Sequence, residues 1–334
     1  MSGPIQHGGG LAAAAAEFGG QIENWIDLST GINPCPPALP EIPMRAWHRL
    51  PDQERELAAR QAARRHYGSG SRLPLPVPGT QSVIQLLPRL VPVGRRVAVL
   101  SPTYGEYVRA FTLAGLAVDQ ITDLDAVTRD HHLVVVVNPN NPDGRLFPRE
   151  TLCRLAADLA TRNALLVVDE AFSDMEPGDS LAGEGRGNLV VFRSFGKFFG
   201  LAGIRLGFVI AEDRLTAQFD EWLGPWAVSG PALILAEQLM SSDTGPIRAD
   251  IRRRFEGLTA VLREAGLTLR GGTQLFQLVE DTHAAALHDH LCRHHILTRK
   301  FDYRSDWLRF GLAPDAQGDR RLLDALLSFR RPTA

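Results

Sequence analysis

Lys197 stands in a run that reads Val190-Val191-Phe192-Arg193-Ser194-Phe195-Gly196-Lys197-Phe198-Phe199-Gly200-Leu201-Ala202-Gly203-Ile204-Arg205-Leu206-Gly207. A lone amine among aromatics and glycines, after an apolar strand-like stretch, is poorly hydrated. Desolvation disfavours the ammonium form and makes the neutral amine a better nucleophile, which is the requirement for a Schiff-base lysine. Two stretches upstream carry complementary groups: Asn138-Pro139-Asn140-Asn141-Pro142-Asp143-Gly144 and Val167-Val168-Asp169-Glu170-Ala171-Phe172. Asp169 follows an apolar run, so it belongs at the carboxyl end of a strand, where open α/β sheets bind ligands. Taken alone, an aspartate there serves equally as a helix cap. Asn141 lies among turn-forming residues, whose first role is to turn the chain.

The elements around these residues alternate. Pro51–Tyr67 has helical spacing of Leu57, Ala58, Gln61 and Ala62 and stops at Gly68. Val77-Pro78-Gly79-Thr80-Gln81 is a turn leading into a helix start. Strands are predicted at Arg96–Leu100, Leu133–Val137, Leu165–Val168 and Leu189–Phe192, and helices at Tyr104–Ala114 and Arg149–Arg162. Short continuous apolar strands separated by helices predict a mostly parallel sheet covered on both faces. After Pro231 the pattern changes to a long helix through Arg248–Glu264, strands at Leu275–Val279 and Trp307–Phe310, and a last helix at Arg320–Phe329. The expected organisation is an N-terminal arm over residues 1–44 with part of a small domain, a large domain over 45–230, and a smaller α+β domain over 231–334.

The bulk composition excludes several classes. With 44% apolar and 22% charged residues, the 334-residue chain is an ordinary globular sequence. A formal net charge of −2 gives no nucleic-acid footprint. Cys35, Cys153 and Cys292 are odd in number and widely spaced, so free thiols in a reducing compartment are expected, and no metal cluster. No apolar run is long enough to span a bilayer, and the Gly/Ala-rich start lacks a basic segment followed by an apolar core, so a cytoplasmic protein without membrane partners is expected.

In order and spacing, Asn141, Asp169, Lys197 and Arg205 resemble the pyridoxal-phosphate site of the aspartate aminotransferase superfamily, and the resemblance spans nearly the whole chain. It implies pyridoxal-phosphate fold type I and pyridoxal 5'-phosphate as cofactor. It implies that Asp169 pairs with the pyridine nitrogen, that Asn141 donates to the phenolate oxygen, and that Tyr104 stacks on the ring, although Tyr104 would also suit a core. Ser194 and Arg205 on one side, and Gly79, Thr80 and Gln81 on the other, would form the cofactor-phosphate cup. Tyr67 resembles a tyrosine that reaches the cofactor phosphate of a neighbouring subunit, implying a homodimer with shared active sites. The preceding Arg49-Leu50-Pro51-Asp52 departs from the more usual Tyr-Pro-Asp. Arg309, in Asp306-Trp307-Leu308-Arg309-Phe310-Gly311, resembles the arginine that binds a substrate α-carboxylate. Phe172 stands where the histidinol-phosphate branch usually has tyrosine, so the cofactor oxygen loses one donor.

The arm narrows the resemblance. Gln6-His7-Gly8-Gly9-Gly10 and Asp27-Leu28-Ser29-Thr30-Gly31-Ile32-Asn33-Pro34, with the Lys197 motif, are similar to the threonine-phosphate decarboxylases of cobalamin biosynthesis. That resemblance implies decarboxylation of L-threonine O-3-phosphate to (R)-1-amino-2-propanol O-2-phosphate. The implied substrate contacts are His7, Gly8, Gly31, Ile32, Asn33 and Arg309, with His7 meeting the substrate phosphate. A histidine beside three glycines is also what a loose terminal tail looks like. The alternatives are a histidinol-phosphate aminotransferase, which shares the fold and a phosphorylated substrate, and a cofactor-binding protein without turnover.

Overall fold

The structure is a computed structural model that describes residue 5 and residues 7–330. Gln6 of the glycine-rich stretch lies outside them, as do the first and last four residues of the expected arm and small domain. The strands in chain order are β1 (Ile26–Asp27), β2 (Leu75–Val77), β3 (Arg96–Leu100), β4 (Ala117–Ile121), β5 (His131–Val137), β6 (Leu165–Asp169), β7 (Leu189–Ser194), β8 (Gly207–Ile210), β9 (Thr268–Thr273), β10 (Phe276–Glu280), β11 (Ile296–Leu297), β12 (Arg299–Phe301) and β13 (Arg304–Gly311).

Seven of them form one sheet in the order β2-β8-β7-β6-β5-β3-β4. From β7 to β4 every pairing is parallel, and β8 runs antiparallel to both its neighbours. The central strands read as unbroken apolar runs because both faces are covered. Val134, Val136, Leu166 and Val168 face one core with Phe195 and Phe198. Leu133, Val135, Val137 and Val167 face the other with Tyr107 and Phe111. β2 carries Pro76 and escapes a reading by hydrophobic pattern. It sits at the sheet edge, where a missing N–H is tolerated.

The helix Gln53–Tyr67 begins after Pro51 because Asp52 caps it, accepting from the Arg55 N–H at 2.9 Å. It stops where Gly68 takes φ 63°, closing the last turn. Helix Gly230–Ser241 is largely buried and packs along it. The expected boundary at 230/231 falls in the first turn of this helix.

The second sheet is antiparallel, in the order β12-β13-β10-β9. Helices Gly245–Glu264 and Ala316–Ser328 pack against each other beside it. β1 pairs in parallel with β11, which ties the N-terminal segment to the C-terminal layer. Register then sets the site. Asp169, the last residue of β6, lies between Val137 of β5 and Phe192 of β7. The loop carrying Asn141 leaves β5, and the turn carrying Lys197 leaves β7, so both emerge beside Asp169.

Candidate active site

Lys197 sits in the single turn Phe195–Phe198 that follows β7. It is half-buried, with Nζ 5.6 Å from the centre of the Phe172 ring. Burial lowers its pKa from 10.5 to about 8; the charges of Arg309 and Arg205 push the same way and that of Asp169 opposes them. The neutral amine is therefore far more populated near neutral pH than in a solvent-exposed lysine.

Asp169 is buried at the end of β6. Its Oδ2 accepts from the Tyr107 hydroxyl at 2.7 Å and its Oδ1 from the Ala171 N–H at 3.0 Å. Desolvation raises its pKa and those two donors act against it.

Gly79, Thr80, Gln81, Tyr104, Asn141, Asp169, Phe172, Ser194, Lys197 and Arg205 all line one chamber of about 160 Å³. Gly79, at φ +73°, caps the short helix Thr80–Ile84. That backbone conformation favours glycine, and a Cβ there would also stand 2.8 Å from Arg205 Nη2 and push the guanidinium aside. Arg205 itself takes φ 56° after Leu201-Ala202-Gly203-Ile204. Gln81 spends its side-chain amide on protein: its Oε1 accepts from the Tyr104 hydroxyl at 3.0 Å and its Nε2 donates to Glu106 at 2.9 Å. It thereby holds the Tyr104 ring. Phe172 packs edge-on against Phe276 at 5.1 Å between centroids. Gly31 lies so close to that pair that a Cβ would come within 2.9 Å of both rings.

The chamber shares Gln81, Tyr104, Asn141, Lys197 and Arg205 with a larger neighbouring cavity of about 750 Å³. His7, Gly8, Gly31, Ile32 and Arg309, the residues expected to contact substrate, line this outer space together. The buried Arg309 donates through Nη1 to Asn141 Oδ1 and through Nη2 to the Ser29 carbonyl at 2.8 Å. His7 Nε2 is 3.0 Å from Oε1 of the buried Glu106. The arm behind it is fixed by Gly9 N–H donating to Ser29 Oγ at 2.7 Å.

Two expectations need correcting. Tyr67 is buried in the core of its own chain, its ring 4.5 Å from the Arg193 guanidinium and edge-on to Phe208. At 6% exposure it keeps little surface for contact with a neighbouring subunit. Asn33 does not line the cavity. It is buried, its Nδ2 donates to the carbonyls of Cys35 and Phe198, and its N–H donates to the Lys197 carbonyl at 2.9 Å. It ties the arm to the lysine turn.

Four further side chains join the site. Tyr107 reaches Asp169, Glu106 anchors His7, and Arg299 and Tyr303 line the outer cavity. Arg299 lies directly opposite Arg309 in the β12–β13 register. Like charges opposite each other on one face are destabilising, and an anion bound between them would relieve that repulsion. Tyr107 carried no signal of its partner, because it reads as one more core aromatic beside Tyr104. Arg299 carried none, because a register shift in the hairpin hides which residue faces Arg309.

A lysine of lowered pKa, a buried carboxylate, an amide and an arginine-glycine rim are the donor set that pyridoxal phosphate requires, and the residues present fit it. The profile of aminotransferase class I and II matches residues 23–326. This chain belongs to that family.

Among members of the class I and II aminotransferase family, a Sinorhizobium protein named threonine-phosphate decarboxylase is 61% identical over 328 residues, covering 98% of each chain. A Pseudomonas aeruginosa protein of the same name is 43% identical, covering 98% of this chain and 99% of its own. The crystal structure of histidinol-phosphate aminotransferase from Sinorhizobium meliloti in complex with pyridoxal-5'-phosphate superposes with a TM-score of 0.80. It is 22% identical and covers 98% of this chain and 95% of that one, which fixes the fold. Within this family fold the sheet is the frame, and the outer cavity is lined by Arg299 and Arg309, which face each other across the β12–β13 pair.

Proposed function

We propose that the chain is a pyridoxal-phosphate-dependent decarboxylase that converts L-threonine O-3-phosphate to (R)-1-amino-2-propanol O-2-phosphate and carbon dioxide, a step of cobalamin biosynthesis. The observation that carries this reading is the 61% identity over 98% of the chain to a protein of that name. Bound pyridoxal phosphate supplies an electron-withdrawing ring that stabilises negative charge at the substrate Cα, so the bond that breaks is the one held perpendicular to the ring.

The residues of this chain do the rest. Lys197 supplies the nucleophilic amine that would hold the cofactor, and the same amine would deliver the proton that replaces the lost carboxyl at Cα. Asp169 holds the ring nitrogen, Asn141 the phenolic oxygen, Tyr104 the ring face, and Ser194, Arg205 and the Gly79–Gln81 turn the cofactor phosphate. The substrate carries two anionic ends, and besides Arg205, assigned to the cofactor phosphate, the outer cavity offers two arginines. Arg309 faces the α-carboxylate. Arg299, with His7 at the mouth, faces the substrate phosphate. Anchoring that remote phosphate orients the reacting bond, so binding energy is converted into rate.

We place the protein in the cytoplasm as a homodimer. No helix among the described residues is long and apolar enough to cross a membrane. Met44, Trp47 and Leu50 are more than 60% exposed, and Trp226 is 59% exposed. The backbone of Ala46 lies against Gly230, four residues after Trp226, so these side chains share one region of the surface. An apolar surface of that kind favours a subunit contact. Trp47→Asp should convert the dimer to monomer in sedimentation, and a wild-type monomer would refute the assembly.

Histidinol-phosphate aminotransferase is the second reading, favoured by the shared fold of the Sinorhizobium meliloti enzyme. The two separate on a product assay: purified enzyme with threonine phosphate and no 2-oxo acid should give aminopropanol phosphate. No product there, with rapid amino transfer from histidinol phosphate to 2-oxoglutarate, would establish the second reading.

A further inference from the structure

Tyr107 lies in the first turn of helix Glu106–Leu113, wholly buried in the core beneath the sheet end. Its hydroxyl donates to Asp169 Oδ2 at 2.7 Å, across 62 positions of sequence. A buried phenol needs an acceptor, yet a neutral carbonyl would satisfy it. Here it is aimed at a carboxylate that already takes the Ala171 N–H on its other oxygen. Each oxygen of Asp169 therefore has one donor fixed by the fold, and lone pairs remain for a third. The Tyr104 ring meets the Tyr107 ring edge-on at 6.4 Å, so one short segment positions both the ring-stacking tyrosine and the donor to the carboxylate.

We infer that Tyr107 is a positioning residue that holds Asp169 as a weakly basic carboxylate, so that the proton shared between Asp169 and the cofactor ring nitrogen stays on the nitrogen. The inference rests on the reading of Asp169 as the partner of that nitrogen. A buried carboxylate without donors binds a proton, and burial does raise the pKa of Asp169, with Tyr107 acting first against it. Tyr107 gives up no proton itself, because burial pushes its phenol well above its ordinary pKa of 10. With the donor removed, the carboxyl becomes the stronger base, the proton moves toward it, and the ring loses its positive charge and with it much of its power to withdraw electrons.

The test compares the affinity of the cofactor-free full-length enzyme for pyridoxal phosphate and for the 1-deaza analogue, in which the ring nitrogen is a C–H. Wild type should prefer pyridoxal phosphate. Tyr107→Phe should shrink that preference roughly ten- to a hundredfold, the scale of one hydrogen bond to a charged group. Tyr107→Leu, a second donor-free variant, should do the same. Asp169→Asn should shrink it at least as far. If Tyr107→Phe and Tyr107→Leu weaken both ligands by the same factor while Asp169→Asn shrinks the preference, Tyr107 only packs and the inference fails. If Asp169→Asn keeps the wild-type preference, the reading of Asp169 fails and this inference with it.

Discussion

Arg309 donates through Nη1 to the side-chain oxygen of Asn141, so the antiparallel sheet meets the loop after β5 at one polar contact. The residue proposed for the substrate carboxylate and the residue proposed for the cofactor oxygen thus orient each other. Asn141→Ala should raise KM for substrate as well as weaken cofactor binding, each about tenfold, the scale of a hydrogen bond to a charged group. Steady-state kinetics and cofactor titration on one preparation check this. Weakened cofactor with an unchanged KM would uncouple the two.

Lys197 gives a pH signature. Its pKa is lowered to about 8 from 10.5, so the neutral, nucleophilic amine accumulates as pH rises through about 8. Reductive labelling of the cofactor-free enzyme with a small aldehyde and borohydride should therefore modify Lys197 half-maximally near pH 8, read by peptide mass spectrometry. The same group affects stability. The unfolded chain keeps its proton up to about 10.5, so folding stability should rise between about pH 8 and 10.5 in wild type relative to Lys197→Met. Labelling only near pH 10.5 would place the amine in water.

Phe172 should be convertible. Its ring lies between Lys197 and Phe276 in the wall of the inner chamber. Phe172→Tyr adds a phenol donor there, and the bound cofactor's visible absorbance should shift while binding is retained. An unchanged spectrum would show that this ring edge points away from the cofactor oxygen.

The arm reaches the cavity through His7, held by Glu106. Deleting residues 1–10 should raise KM for threonine phosphate roughly ten- to a hundredfold with little change in cofactor affinity. Glu106→Gln should reproduce part of the effect. An unchanged KM in the truncated enzyme would leave the arm a structural strap.

The legible part of the site was the part carried by strand ends. Asp169 and Ser194 end β6 and β7, and Lys197 lies three residues beyond β7; a continuous apolar strand announces both its length and where its carboxyl end lies. Side chains that act through distant pairing were hidden. Tyr107 reads as one more core aromatic until the fold brings it to Asp169, and Arg299 is set opposite Arg309 only by a shifted hairpin register. Tyr67 misled for the converse reason. A tyrosine before a helix-ending glycine carries no sign of which way its ring turns, and here it turns inward onto Arg193.

The central claim is that the carboxyl carbon leaves the substrate, and carboxyl-labelled threonine phosphate tests it. An aminotransferase keeps the carboxylate near the ring plane and breaks Cα–H; a decarboxylase turns it out of plane. With no 2-oxo acid present, the purified enzyme should release the label as carbon dioxide, one per aminopropanol phosphate formed. Threonine lacking the phosphate should turn over far more slowly even at saturation, because the phosphate supplies orientation as well as binding. Label retained in an amino acid or 2-oxo acid product, with no carbon dioxide, would contradict the account.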